Sequence, residues 1–225
     1  MSTTPLNWQP AHAPIPDSQT GRFIRLEKLD PRRHSEDLWN VLIGPGCDEK
    51  LWDYLPYGPF VEREPFDIWL DGYAMSNDPL GFCVVDLETG QAQGILSLMS
   101  IVPAHGRIEI GHVAFSSAMQ RTPKGTEAIY LLAKLAFSQG YRRVEWKCDN
   151  ANMRSRNAAL RYGFSAEGVF RQHMVVKGKN RDTAWFSIMD SEWPPIDKAF
   201  EAWLAEDNQV AGGQRKTLAQ LRGQA

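Results

Sequence analysis

Apolar and polar positions alternate along this chain with a period that changes from segment to segment, and the period predicts most of its elements. Phe23-Ile24-Arg25-Leu26 reads as a first strand, and Asp30-Pro31 turns the chain into a helix around His34–Ile43 that Gly44-Pro45-Gly46 ends. Residues 47–80 lose a clear period but are rich in rings (Trp52, Tyr54, Tyr57, Phe60, Phe66, Trp69, Tyr73), and Pro65 suits the first turn of a short helix. These rings either fill a core or line a substrate cleft. From Gly81 the period drops to two. Phe82–Leu87, Gln93–Ile101 and Arg107–Phe115, separated by Glu88-Thr89-Gly90-Gln91 and Pro103-Ala104-His105-Gly106, predict an antiparallel meander.

The period then lengthens. Ala128, Leu131, Leu132, Leu135 and Ala136 form one helical stripe, with Thr122 placed to cap it, Pro123 in its first turn and Gly140 at its end. Arg143–Cys148 alternates Val144, Trp146 and Cys148 with charged residues and reads as a strand; Ser155–Tyr162 is a short helix stopped by Gly163. Strands at Gly168–Lys177 and Thr183–Asp190 flank a Gly178-Lys179-Asn180 turn. An amphipathic helix at Ile196–Ala205 follows Trp193-Pro194-Pro195, and the polar tail beyond it is expected to be solvated. At the other end, Pro5, Pro10, Pro14 and Pro16 predict an extended surface arm pinned by Trp8. The expected division is an arm over 1–20, one packed domain over 21–193, and a C-terminal helix and tail over 194–225.

Composition narrows the class of function. Lys and Arg total 25 against 27 Asp and Glu, a balance that argues against a general nucleic-acid or membrane-surface role. Cys47, Cys83 and Cys148 are far apart and in no metal-ligand spacing, so the expectation is reduced thiols, no metal and a cytoplasmic protein. No apolar leader run or membrane-length stretch is evident, which supports the same expectation.

The segment with chemical content is the strand–loop–helix unit Ile108–Ala136. Its loop, Gln120-Arg121-Thr122-Pro123-Lys124-Gly125-Thr126, leads into a helix whose N-terminus offers unpaired N–H groups to a pyrophosphate, with Arg121 and Lys124 as cationic support. A second unit follows: strand Val144–Cys148, then Asn152-x-x-Ser155, then Tyr162-Gly163-Phe164. Together these resemble the two halves of the acyl-CoA site in the GNAT superfamily of N-acetyltransferases. Glu167-Gly168-Val169-Phe170-Arg171 and the closing strand resemble its ribosomal-protein N-terminal acetyltransferase branch, and the resemblance covers roughly residues 20–190. It implies an α+β fold: a central, mostly antiparallel twisted sheet of about seven strands, flanked by helices and splayed open at the acyl-CoA site. The sequence departs from the family at Pro123, which stands at the first Gly position of the pyrophosphate loop and lacks an N–H.

The resemblance further implies acetyl-CoA as co-substrate, an amine acceptor (a protein N-terminus or a small molecule), direct attack in a ternary complex, and a monomer or homodimer. Val113–Phe115 takes the place of the strand beside the thioester. The cofactor residues it implies are then Val113, Phe115, Gln120, Arg121, Thr122, Lys124, Gly125, Thr126, Asn152 and Ser155. Glu109, Glu145 and His112 are the three candidates for the base. The position of the family's general-acid Tyr is Ala159 here, and Tyr162 lies one turn on. Cys148 reads as a core thiol rather than a nucleophile. The competing reading is a non-catalytic module of the same fold that binds acyl-CoA or another ligand.

Overall fold

The computed structural model describes residues 6–45, 47–210 and 213–223; Pro5 of the arm, Gly46 of the predicted break and parts of the tail lie outside the described residues. In chain order the elements are β1 (Gln19–Thr20), β2 (Ile24–Lys28), α1 (Pro31–Leu42), α2 (Arg63–Met75), β3 (Leu80–Asp86), β4 (Ala92–Val102) and β5 (Arg107–Phe115). There follow α3 (Pro123–Ser138), β6 (Arg143–Asp149), α4 (Met153–Tyr162), β7 (Ser165–Val176), β8 (Lys179–Met189) and α5 (Trp193–Leu204). The pair β9 (Gln209–Val210) and β10 (Gly213–Gln214), then α6 (Leu218–Leu221), close the described chain. One sheet has the order β1-β2-β3-β4-β5-β6-β8-β7, and its strands are antiparallel except where β6 runs parallel to β5. The expected mixed α/β, mostly antiparallel sheet is thus present, with eight strands because Gln19–Thr20 adds a short edge.

Both faces of the sheet are covered, which explains why β3 is buried at every position instead of alternating. Leu80, Phe82 and Val84 pack with α3 and α5 (Leu132, Phe200), while Cys83 and Val85 pack with α1 and α2 (Leu38, Phe66). Local chemistry sets the helix starts. The Asp30 carboxylate accepts from the Arg32 N–H at 3.0 Å and Pro31 fixes φ at the first turn, so α1 begins earlier than the apolar pattern alone indicates. The Asn152 side chain caps α4, and Gly163, at φ +97, ends it.

Three expectations need correction. Thr122 occupies the cap position of α3, but its Oγ1 donates to the Met119 carbonyl at 2.7 Å and leaves the helix start uncapped. The β7–β8 turn sits one residue earlier than predicted, as a two-residue hairpin of the type with positive φ at both centres, Lys177 and Gly178. The tail is folded rather than merely solvated: Thr217 and Gln220 form a capping box, Leu218 is buried, and Arg222 Nη1 donates to the Arg161 carbonyl at 2.8 Å. At the other end Trp8 lies under the Arg142 guanidinium at 5.7 Å, and the Tyr141 hydroxyl donates to the His12 carbonyl at 3.0 Å.

Candidate active site

β5 and β6 pair for only three residues, Arg107–Glu109 against Arg143–Glu145, although both strands continue, to Phe115 and Asp149. Beyond Glu109 the sheet therefore opens. Each lip has a local cause. β5 carries a bulge against β4 between the pairs Ser97–Gly111 and Ile95–Ala114, with His112 held at φ +51, so His112 and Val113 leave the regular ladder. The β6 lip runs into the Asn152-capped α4, where Ser155 N–H donates to Asn152 Oδ1 at 3.0 Å and Trp146 Nε1 donates to Ser155 Oγ at 3.0 Å.

The start of α3 lies just past β5. With no side-chain cap and with Pro123 lacking an N–H, the Lys124 and Gly125 N–H groups keep the unpaired character of a helix N-terminus. Arg121 is exposed beside them in a left-handed conformation, at φ +61. The side chains of this loop are otherwise engaged. Gln120 Nε2 donates to the Phe115 carbonyl at 3.0 Å, Thr126 Oγ1 accepts from Arg161 Nη1 at 3.0 Å, and Lys124 Nζ donates to Asp86 at 2.6 Å. Gly125 is a packing glycine: a Cβ there would stand 3.0 Å from the Met119 carbonyl oxygen. Val113 and Phe115 turn inward to the core under α3.

Glu109 and Glu145 stand side by side at the last paired position, on the face covered by α1 and α2, yet they have different surroundings. Glu109 is buried; its Oε2 lies 2.6 Å from Lys147 Nζ and accepts from Ser100 Oγ at 3.0 Å, while no hydrogen bond to Oε1 is seen among the described residues. Burial pushes its pKa up, against the pull of Lys147. Glu145 is tied to Arg143 Nε at 2.8 Å and faces Arg107 at 3.6 Å, so its charge is spent on a structural network that includes Glu167. Ser100 is fixed because the Asp78 carboxylate binds the Ser100 and Ile101 N–H groups at 2.8 and 3.0 Å.

His112 meets Tyr57 and Tyr73 at centroid distances of 5.3 and 5.6 Å, and its Nδ1 is buried with no hydrogen-bond partner. The aromatic segment fills core: Trp52, Phe66 and Tyr73 are buried there, Tyr57 packs against them, and both tyrosines reach His112. Burial, aided by the charge of Arg181, lowers the pKa of His112 to about 4. The unfolded chain therefore binds this proton from an ordinary pKa of 6.5 downward while the native state stays neutral until about pH 4. Stability from His112 is present above pH 6.5 and lost as the pH falls toward 4. His112→Asn, which tolerates positive φ, should flatten the wild-type loss of unfolding free energy across that window in urea titrations; an unchanged slope would assign the loss to other groups.

Tyr162 lies at the far end of α4, packed near Trp146 and Phe200 at 6.1 and 6.3 Å, and burial raises its pKa. Cys148 is buried and its thiol is likewise pushed up. Sequence reasoning missed Lys147, Ser100 and Asp78. Lys147 was visible only as polar-face alternation, and its partnership with Glu109 needs the parallel β5–β6 register, which no local pattern carries. Among the described residues there is no group of three or more His, Cys, Asp or Glu placed to hold a metal, and no helix long and apolar enough to cross a membrane.

Comparison with known proteins agrees with this architecture. A solved GCN5-related N-acetyltransferase from Brucella melitensis is 45% identical, with 96% of this chain and 99% of that one covered and a TM-score of 0.93. A probable acetyltransferase of the GNAT family from Chromobacterium violaceum is 44% identical over 86% of this chain and 97% of its own, with a TM-score of 0.80. An acetyl transferase from Salmonella typhimurium, described as modifying the N-terminal serine of the 50S ribosomal subunit protein L7/L12, shares the fold at 18% identity. It covers 75% of this chain and 96% of its own, with a TM-score of 0.63. The family model for the acetyltransferase (GNAT) domain matches residues 24–165, which span the whole opening, and the chain belongs to this acetyltransferase family.

Proposed function

We propose that the chain transfers an acetyl group from acetyl-CoA to a primary amine, by direct attack while both substrates are bound. The observation that carries this reading is the parting of β5 and β6 just past a buried carboxylate, with a bulge on one lip and an uncapped helix start beyond it. Acetyl-CoA, when bound, supplies the acetyl group as an activated thioester. The Lys124 and Gly125 N–H groups, with the charge of Arg121, suit its pyrophosphate. Gln120 and Thr122 hold the loop through the Phe115 and Met119 carbonyls, and Thr126 anchors it to Arg161. The bulged backbone at His112–Val113 offers donors to the thioester carbonyl, and Asn152 and Ser155 keep the other wall in place.

Glu109 takes the proton of the attacking ammonium, and Ser100 and Lys147 fix its carboxylate. The departing thiolate needs no dedicated acid, because a free thiol ionises at a pKa of about 8.5. Ala159 at the family's Tyr position and the packed Tyr162 accord with that.

A second reading, a module that binds acyl-CoA or another ligand without turnover, is favoured by one observation: Lys147 already neutralises Glu109. Release of free CoA thiol from acetyl-CoA across a panel of primary amines separates the two. Amine-dependent release is expected; its absence with every amine, alongside intact acetyl-CoA binding, selects the module.

A further inference from the structure

The acceptor side of the opening contains a cation that no carboxylate among the described residues pairs with. β8 pairs with β6 so that Glu145, Lys147 and Asp149 face Ser187, Trp185 and Thr183, which puts these side chains on the Glu109 face of the sheet. Arg181, two residues before Thr183 on the same strand, shares that face. Its Nε is buried without a hydrogen-bond partner, and among the described residues no carboxylate lies within ion-pair distance of its guanidinium. Lys147, the other cation here, is matched by Glu109 at 2.6 Å and rests over the Trp185 ring at 4.4 Å. Arg181 is close enough to act on His112, across the opening, through its charge.

More orphaned polar atoms border the same region: Trp185 Nε1, Tyr57 Oη and His112 Nδ1 are all buried and unpartnered. The β7–β8 hairpin arches over to the aromatic segment, where Lys177 Nζ donates to the Trp52 carbonyl at 2.8 Å. The region is therefore roofed by rings, partly desolvated, and carries one unpaired guanidinium. Arg181 is half-buried, with its Nε shut off from water and without an acceptor, and a site built so favours a ligand that brings the missing anion. A plain amine would leave Arg181 without a counter-charge.

We infer that the acceptor is a small amine that carries its own carboxylate, of the amino-acid class, with Arg181 receiving the carboxylate while the amine lies at the His112–Val113 bulge. This rests on the transfer reading above and names its substrate class. A peptide N-terminus, whose first carboxyl is an amide, lacks the group that Arg181 requires.

The test uses the full chain saturated with CoA and calorimetric binding of N-acetylated α-amino acids with apolar and aromatic side chains, each paired with its carboxamide. The acids should bind at least about tenfold more tightly than the amides, the scale of one charge-assisted contact. Arg181→Gln should erase that difference and leave the Kd for CoA unchanged; Arg181→Lys, which keeps the charge but not the fork, should retain part of it. Equal binding of acids and amides, no binding by any acid, or an Arg181→Gln effect confined to CoA would each overturn the inference. Thiol release with the free amino acids and their amides keeps the two claims apart. Carboxylate-dependent binding with no turnover keeps Arg181 as a carboxylate site but overturns its place in an acceptor site along with transfer, whereas turnover equal on acids and amides refutes this inference and keeps transfer.

Discussion

Replacing Glu109 by Gln should lower turnover by about 10²-fold or more, the scale of general acid–base catalysis, without weakening acetyl-CoA binding. The side chain sits at the point where β5 and β6 part, both of its contacts fall on Oε2, and burial raises its pKa against the pull of Lys147, which makes it a stronger base. A raised folded pKa also fixes the sign of the pH dependence. kcat/KM should climb as Glu109 loses its proton, at a pH higher than for an unperturbed Glu, and the Gln variant should lose that limb. Glu145→Gln is the control: its partners are Arg143 and Arg107, so it should cost stability and leave the pH profile in place. Loss of turnover in the control alone would move the base to β6.

The largest effect on stability is expected at Glu127. This carboxylate lies in the middle of the α3 apolar stretch, 2% exposed, and accepts from three consecutive backbone N–H groups, Arg22 at 2.6 Å, Phe23 at 2.7 Å and Ile24 at 2.9 Å. It clamps the turn between β1 and β2 onto α3. Gly21 is required for it, since a Cβ there would fall 2.3 Å from the Glu127 carboxyl carbon. Glu127→Ala strands those donors, at roughly 1–3 kcal/mol for each that stays buried, and Glu127→Gln turns an amide N–H₂ toward them. Urea unfolding should show a loss of about 3 kcal/mol or more for Ala. A loss under about 1 kcal/mol would mean that water satisfies the turn as well as the carboxylate does.

Much of the fold was legible because its signals are local. The period-two stretches became β3 to β6, the helical stripe from Ala128 to Ala136 became α3, and Gly163 and Pro31 marked helix ends by their own chemistry, whereas the capping role of Asn152 was read as cofactor contact. What stayed hidden depends on register and on distant partners. Glu127 reads in sequence as one charge in a helix, and only the turn at residues 21–24 gives it a role. His112 occupies a bulge that no alternation pattern reveals, and Arg181 acquires its meaning from what fails to pair with it. In the loop before α3, sequence named a segment but not the division of labour among its residues. The side chains of Gln120 and Lys124 bind the protein itself, so in the proposed reading the backbone and Arg121 are what meet an anion.

The central claim, that the β5–β6 opening moves an acetyl group onto an amine, is tested most directly by weighing the product. The purified chain is incubated with acetyl-CoA bearing a deuterated acetyl group and a primary amine, and free thiol and amine mass are followed together. The account predicts one labelled acetyl group on the amine nitrogen for each thiol released, with both signals falling together in Glu109→Gln. Thiol release without a labelled amine, or a labelled amine formed at the same rate by Glu109→Gln, would contradict it.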